Sequence, residues 1–174
     1  MKIIEAMKRV KINKEKIADL QNKIAGVSAN LSIETPVYGT ETSEKIKEWL
    51  QACNDLAQDN VNLLVAIART NLKTQVPITI GEKTVTKSIA EWIWRRREYA
   101  AMDLNTWSKL SDRNLKEGMV QSSTGIPMEV KIVRHYDPST RDKMVSMFRA
   151  EPHEIDSALE VVNAVTDLID APKV

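Results

Sequence analysis

A seven-residue repeat of apolar side chains runs through the first part of the chain. Two rows lie three residues apart, and Lys, Arg, Glu, Asp and Gln fill most of the positions between them. One row is Ile3, Val10, Ile17, Ile24 and Leu31, and the other is Ala6, Asn13, Leu20 and Val27. Such a heptad repeat is typical of a helix that packs along its length against a partner helix. The pattern predicts a long helix over residues 2–31.

The same period returns after a break in the chain. Pro36 and Gly39 interrupt any helix over residues 32–42, and a second helix is predicted over residues 43–70. Its rows contain Ile46, Cys53, Asn60 and Ile67, and the pairs Trp49/Leu50, Leu56/Ala57 and Leu63/Leu64. Two heptad helices joined by a short loop predict an antiparallel helical hairpin within residues 1–72.

Each apolar seam contains one asparagine, Asn13 in the first helix and Asn60 in the second. A hairpin centred near residues 36 and 37 places these two positions opposite each other. A buried amide without a partner costs about 1–3 kcal/mol, so we expect the two amides to hydrogen-bond and to fix the register of the hairpin. Alternatively, either asparagine lies at a wet edge or faces another subunit.

The seven-residue repeat ends after the helical hairpin. Apolar and polar residues alternate up to a turn at Gly81, which predicts a small β-hairpin over residues 75–86. Residues 119–127 are predicted to form a polar loop. Residues 128–134 alternate again and predict a third short strand, which could join the β-hairpin.

Helices are predicted to fill the remaining segments. One is expected over residues 87–117, and others are expected over residues 138–169 with an interruption near Pro152. Asp137 as N-cap and Pro138 at the first helical position mark where the later segment begins. The sequence thus predicts a mainly α fold, an antiparallel helical hairpin or bundle with heptad packing and a minor three-stranded β element.

Length and composition indicate a single folded domain and argue against several classes of protein. The chain has 174 residues, of which 43% are hydrophobic, with 25 basic and 24 acidic side chains. This length suits one domain over residues 1–174, and the apolar fraction excludes a disordered chain. A net charge of +1 argues against nucleic-acid binding through bulk charge. No apolar run resembles a signal peptide or a membrane span, so we expect a protein of the cytoplasm or of a virion assembled there.

Residue types that carry catalytic or metal chemistry are scarce. Two histidines and a single cysteine, Cys53, argue against a His/Cys metal centre, and the five glycines form no nucleotide-binding loop. His135, Tyr136 and Asp137 could form an acid–base cluster, but a capping role already explains Asp137. The sequence predicts no catalytic residue, no metal site and no cofactor.

Residues 91–99 combine tryptophan and arginine in an unusual run. On a helix, Trp92, Ile93 and Trp94 point about 100° apart in succession, so one buried face cannot hold all three. Aromatic and arginine side chains are enriched in interface hot spots, and they also contact bases and phosphates. Packing within the domain, a protein interface and nucleic-acid contact all remain open. The candidate interface residues are Trp92, Trp94, Arg95, Arg96 and Arg97.

The two ends of the chain carry opposite charge. Residues 1–24 hold seven basic and three acidic side chains, and residues 151–174 hold six acidic and one basic. Opposite charge favours pairing of the ends, either within one subunit or head-to-tail between copies. Two ordinary solvated faces would also give this pattern.

Two predicted helix ends share a short motif. Asn71 is followed by Thr74, and Asn163 by Thr166. The first is followed by Gly81, the run Lys83-Thr84-Val85-Thr86, Ile89-Ala90 and the arginines. In this order the residues resemble the septicolysin-like family, small helical proteins of bacteria and phages, although Glu82 extends the turn and no Arg-Asp pair follows Ala90. The resemblance implies a helical, oligomeric protein and assigns no activity to any residue.

These observations favour a non-enzymatic structural protein that assembles with itself and with other structural proteins. The phage side of the resemblance implies a setting such as a bacteriophage virion, in which the chain would be a head, neck or tail accessory subunit. One alternative is a nucleic-acid-associated protein that uses the basic first helix and the Trp/Arg segment. Another is a membrane-active, cytolysin-like protein.

Overall fold

The computed structural model describes residues 1–170, and the predicted mainly α fold class is confirmed. The chain divides into two compact units. Among the described residues, the first contains residues 1–74 and 159–170, and the second contains Gln75–Ala158. The single domain predicted over residues 1–174 stays a prediction.

The first unit is built on a helical hairpin. Helix α1 (Ile3–Val27) and helix α2 (Thr42–Lys73) are joined by a loop that contains a short 3₁₀ turn at Gly39–Glu41. The buried residues of the two helices are Ile3, Ala6, Val10 and Asn13 in α1, and Asn60, Leu63, Ala66 and Thr70 in α2. All of them lie in the half of the hairpin where α1 begins and α2 ends. In α1 all four belong to the predicted heptad rows. In α2 only Asn60 and Leu63 do, because Ala66 and Thr70 lie outside the rows, whereas Leu50, Ala57 and Leu64 of the rows are exposed.

The other half of the hairpin is only partly covered. Ile17 and Ile24 in α1 are half-buried, and so are Ile46 and Cys53 in α2. Two helices shield only one side of each other, so these seam residues keep contact with solvent. Helix α1 also ends four residues before the predicted boundary at residue 31.

Side chains after Val27 provide the reason for this earlier end. The Ser28 hydroxyl donates to the carbonyl of Ala25, and the amide of Asn30 donates to the carbonyl of Leu31. The backbone N–H of Leu31 in turn donates to the carboxylate of Glu34. Such local bonds give the backbone an alternative to further helical turns.

The oppositely charged ends pair within the chain. Lys2 and Asp167 form an antiparallel β-bridge, in which the N–H of Ile3 donates to the carbonyl of Thr166 and the N–H of Leu168 donates to Met1. The Lys2 ammonium lies 2.7 Å from the Asp167 carboxylate, and this hydrogen bond lowers the pKa of Asp167. Of the alternatives, pairing within one subunit is the one that the structure contains.

The second unit begins with the predicted β-hairpin. Strands β1 (Gln75–Ile80) and β2 (Lys83–Ser88) pair antiparallel around a turn in which Gly81 has φ of +61°. Helix α3 (Ile89–Trp94), a π turn (Arg95–Tyr99) and helix α4 (Ala100–Ser108) follow. The core contains Val76, Ile78, Ile89, Trp92, Ala100, Phe148 and Ile155.

The single helix predicted over residues 87–117 is wrong in two respects. The π turn interrupts it, and helical structure ends at Ser108. There the hydroxyls of Thr106 and Ser108 donate to backbone carbonyls four residues earlier, and the final N–H groups bond three residues back. These bonds tighten and close the last turn.

The three-stranded β element is also wrong. Strand β4 (Pro127–Val130) pairs with strand β3 (Gly118–Gln121) in a separate two-stranded sheet, where a polar loop was predicted. Gly118 at φ +142° and Gly125 at φ +75° adopt conformations that other residues rarely reach. They allow the segment to fold onto itself, and the predicted strand 128–134 ends at Val130.

Helix α5 (Pro138–Val165) begins where the sequence predicts. The Asp137 carboxylate accepts hydrogen bonds from the backbone N–H groups of Ser139 and Thr140, so its role as N-cap is confirmed. The predicted interruption near Pro152 is wrong, because α5 continues through that residue. Proline removes its own N–H from the helical ladder and crowds the carbonyl four residues earlier, but ion pairs at Glu151 and Asp156 hold the helix on both sides.

Candidate functional site

The Trp/Arg segment begins at a helix cap and passes through the π turn. The Ser88 hydroxyl accepts from the N–H of Glu91, and the Glu91 carboxylate accepts from the N–H of Ser88 at 2.7 Å. The Ser88 hydroxyl also donates to the Glu91 carboxylate, and this bond, together with the one from the Ser88 N–H, lowers the pKa of Glu91. A π turn has one residue more per hydrogen-bonded loop than an α-helix, and such turns frequently occur at functional sites.

Trp92 is a core residue of the second unit. Its side chain is 1% exposed, and its indole N–H donates to the carbonyl of Val76 at 2.9 Å. Of the interpretations offered for the segment, packing within the chain therefore applies to Trp92. An interface role for this residue is wrong.

Trp94 points outward, as one indole of the segment must. It is 55% exposed, and Tyr99 and Met102 are exposed beside it along the chain. A cavity of about 560 Å³ opens here, lined by Lys87, Glu91, Trp94, Arg95, Glu98 and Tyr99. The rings of Trp94 and Tyr99 give this cavity an aromatic surface. The Glu91 carboxylate at its edge already accepts hydrogen bonds in the helix cap.

Arg95 is held by carboxylates. Its Nε and Nη2 lie 2.6 Å and 2.9 Å from the two oxygens of Glu151, which is 2% exposed, and its Nη1 lies 2.6 Å from Asp103. The guanidinium also lies 5.5 Å from the ring centroid of Phe148. These bonds raise the pKa of Arg95, with Glu151 contributing most. No local pattern in the sequence indicates this pair, because 56 residues separate the partners.

The other two arginines differ from each other. Arg96 forms an ion pair with Asp156, while Arg97 is exposed. Two of the three arginines thus already contact acidic side chains of the same unit. Of the predicted interface residues, Trp94 and Arg97 are the two with side chains at the surface and no partner among the ion pairs of the described chain.

The predicted contact between the seam asparagines is confirmed. The Asn13 amide donates to the side-chain oxygen of Asn60 at 3.0 Å, and both residues are buried. The same Asn13 amide group donates to Asp59 at 2.8 Å, and Arg9 donates to both oxygens of Asp59. The sequence analysis missed Arg9 and Asp59, although Arg9 lies one helical turn before Asn13. This polar cluster borders an open groove of about 920 Å³ between α1 and α2.

Both Asn-x-x-Thr motifs lie at helix ends. Thr74 is the first residue after α2 and Thr166 is the first after α5, and the N–H of each donates to the carbonyl four residues earlier. The Oδ1 atom of Asn71 is buried without a hydrogen-bond partner in residues 1–170. Asn163 is half-buried.

Thr70, which the sequence analysis missed, is the key residue beside this motif. It is fully buried, donates to the carbonyl of Ala66 and accepts from the N–H of Ile169 at 2.9 Å. It thereby attaches the chain after α5 to the end of α2.

Helix α2 carries a second apolar face in addition to its packed seam. We call this face the outer stripe, and its exposed members are Leu50, Ala57, Val61, Leu64, Val65, Ala68 and Leu72. At 3.6 residues per turn, the stripe lies about a third of a turn away from the seam that contains Asn60 and Leu63. Between Leu50 and Leu72 the charged residues are Asp55, Asp59 and Arg69, and each points at least about a quarter-turn from the middle of the stripe.

The β3–β4 hairpin, which we call the arm, also exposes apolar side chains. Every residue of both strands is exposed, and Met119 reaches 67%. Hydrogen bonds link the two segments that flank the arm. Asp112 accepts two of them from Arg134 and one from the Tyr136 hydroxyl. The bond to Arg134 lowers the pKa of Asp112. A two-stranded hairpin with no packed face is only marginally stable alone.

Metal-binding clusters and membrane-spanning helices are both absent from residues 1–170. These residues contain no cluster of His, Cys, Asp and Glu side chains that could hold a metal ion. No helix in this range has the length and apolar character needed to cross a membrane.

Comparison with known proteins gives a family and a fold. A family of unknown function, DUF6847, matches residues 13–168. No curated protein matches the chain. The crystal structure of a functionally unknown conserved protein from Corynebacterium diphtheriae is similar over 97% of this chain and 99% of that chain, with a TM-score of 0.57 and 19% sequence identity. At that identity, the likeness shows the fold alone.

Proposed function

The chain belongs to the DUF6847 family, whose function is unknown, and we propose from its own residues that it is a non-enzymatic assembly protein that associates with copies of itself. The outer stripe of α2 carries this proposal. The exposed face of a solvated helix normally carries charged side chains, as the lysines of α1 do. The outer stripe instead presents Leu, Val and Ala over more than five turns.

Interfaces between subunits have this character. Their cores are depleted in charged residues, and contiguous exposed apolar surface marks protein contacts. Leu50, Val61 and Leu64 are 54%, 53% and 49% exposed in the single chain. Burying a large aliphatic side chain completely stabilises an assembly by about 1.5–3 kcal/mol relative to leaving it exposed. Several such residues on one helix give a driving force for association.

The arm supports the same proposal independently. Its exposed apolar residues include Met119, Val120, Ile126 and Met128. A hairpin of this kind gains stability when it packs against another chain. The biological setting that we propose is a larger particle such as a bacteriophage virion, in which the protein would contact copies of itself and other structural proteins. This setting follows from the septicolysin-like resemblance.

Nucleic-acid association is less well supported. Arg95 and Arg96, which would contact phosphates, are paired with carboxylates of the second unit. The exposed lysines of α1, together with the exposed Trp94 and Arg97, are the observations in its favour. A mass that rises only when nucleic acid is added, and falls again with salt, would favour this alternative.

Light scattering over a range of protein concentrations tests the proposal. We expect the wild-type mass to rise to a discrete multiple of the chain mass. Leu64→Glu should hold the protein at the monomer mass, because it places a charge in the middle of the outer stripe. The matched control is Ile12→Glu, since Ile12 is 48% exposed on the partner helix and lies outside the stripe. A wild-type monomer at every concentration, or equal loss of association in the two variants, would contradict the proposal.

A further inference from the structure

The outer stripe is self-complementary about its centre. Leu50 and Leu72 lie eleven residues to either side of Val61, and Ala57 and Val65 lie four to either side. Asn54, a polar residue in line with the stripe, and Ala68 lie seven to either side, and Leu64 would face Gln58. Two antiparallel copies of α2 centred on Val61 would therefore place leucine against leucine at both ends and a small residue against a larger one between them.

A parallel arrangement lacks this match. Each residue would then face its own copy, so that Ala57 would meet Ala57 and Ala68 would meet Ala68. Such layers alternate between empty and crowded positions, whereas helix interfaces pack to a uniform density. The sizes of the stripe residues thus favour the antiparallel arrangement.

Charged residues beside the stripe agree with this arrangement. Asp55 and Arg69 lie on the same flank of α2 and are nearly equidistant from Val61, six and eight residues away. When two helices pair antiparallel, like flanks face each other, so each Arg69 would approach Asp55 of the other copy. Both side chains are exposed, and Arg69 lies 3.4 Å from the exposed Asp170 of its own chain. By symmetry the pair occurs twice.

We infer that the outer stripe of α2 binds the outer stripe of a second copy of this chain, antiparallel, about a two-fold axis at Val61. The inference rests on the proposed self-association and names its partner and geometry. Helix dipoles are also better satisfied when paired helices run in opposite directions. The surface around the axis carries no charged residue, in keeping with the core of an isologous interface.

Cysteine crosslinking tests the axis, because a disulfide requires Cβ atoms within about 4.5 Å. In a Cys53→Ala background the chain has no other thiol. Val61→Cys should then form a disulfide-linked dimer under mild oxidation. Leu50→Cys and Leu72→Cys should each remain uncrosslinked alone and should crosslink when mixed. Asn62→Cys, one position away from the axis on the same helix, is the matched control and should not crosslink.

The outcomes separate this inference from the proposed function. A dimer by light scattering in which Leu50→Cys crosslinks to itself, or Val61→Cys does not crosslink, would overturn the two-fold axis and leave self-association standing. A monomer by light scattering would overturn both.

A charge swap between Asp55 and Arg69 is a second test of the antiparallel geometry. Arg69→Glu or Asp55→Arg alone should weaken association by about two- to tenfold, and the double variant should restore it. Failure of the double variant to restore association, with its helical content unchanged, would count against the antiparallel register.

Discussion

At the scale of single residues, the contact between Arg95 and Glu151 pairs a guanidinium with a buried carboxylate. A carboxylate with 2% exposure has lost its water, which costs several kcal/mol unless a charged partner replaces the lost hydrogen bonds. Arg95 supplies two such bonds through Nε and Nη2. The second unit therefore depends on this pair remaining complete.

Removing one partner of the Arg95–Glu151 pair should lower the free energy of unfolding more than replacing both partners with apolar residues. Arg95→Met leaves Glu151 buried without a partner, and we expect the free energy of unfolding to fall by about 3–5 kcal/mol. The double variant Arg95→Met/Glu151→Met should recover most of that loss, because no charge remains buried. Urea unfolding at neutral pH measures both.

Arg96→Met is the matched control for this comparison. Arg96 and Asp156 are 40% and 48% exposed, so removing their pair should change stability by less than about 1 kcal/mol. If the single and double variants lost the same free energy of unfolding, the unpaired buried charge of Glu151 would not be the cause of the loss.

At the scale of elements, helix starts were easier to predict from the sequence than helix ends and strand partners. Asp137 caps α5 through bonds to residues close in sequence, and the Asn13–Asn60 contact follows from hairpin register alone. The π turn at Arg95–Tyr99 and the pairing of β3 with β4 have no comparable local signal. The contacts of Arg95 and Thr70 depend on distant segments, which a periodic pattern does not encode.

The cap of α5 gives a prediction for acid pH. Hydrogen bonds from Thr140 lower the pKa of Asp137 below its ordinary value of about 3.9. The unfolded chain then binds the proton more readily, so the contribution of Asp137 to stability is present above that value and is lost as pH falls through the lowered pKa. Asp137→Asn keeps a capping side chain that does not titrate.

Melting temperatures measured between pH 7 and pH 2.5 test this. The difference between wild type and Asp137→Asn should be constant above about pH 5 and should shrink in acid, below about pH 4. Asp142→Asn, an exposed carboxylate within α5, serves as the control. A difference in melting temperature that does not change with pH would mean that ionised Asp137 stabilises the helix no more than its protonated form does.

At the scale of the whole molecule, helix α5 is the element that both compact units share. Residues 138–158 belong to the second unit, and the helix continues into the first. Helix α2 likewise ends at Lys73, and strand β1 begins at Gln75, with only Thr74 between them.

This continuity leads us to expect that the units unfold together. Native-state hydrogen exchange in increasing urea should give the same opening free energy for amides around Leu63 in the first unit and around Ile89 in the second. Distinct free energies for the two sets would instead show two independently unfolding domains. The arm, in which both strands are exposed, should exchange early and serves as an internal reference.

The π turn has a consequence for how the chain compares with its relatives. Its loop holds one residue more than an α-helical turn, so a chain with one residue fewer between positions 95 and 99 would continue as an ordinary helix. The helix after the turn would keep its orientation, because the wider turn absorbs the extra residue. Alignments within the family should therefore place a one-residue gap here, and the position of Asp103 in α4, which reaches Arg95, should be retained across that gap.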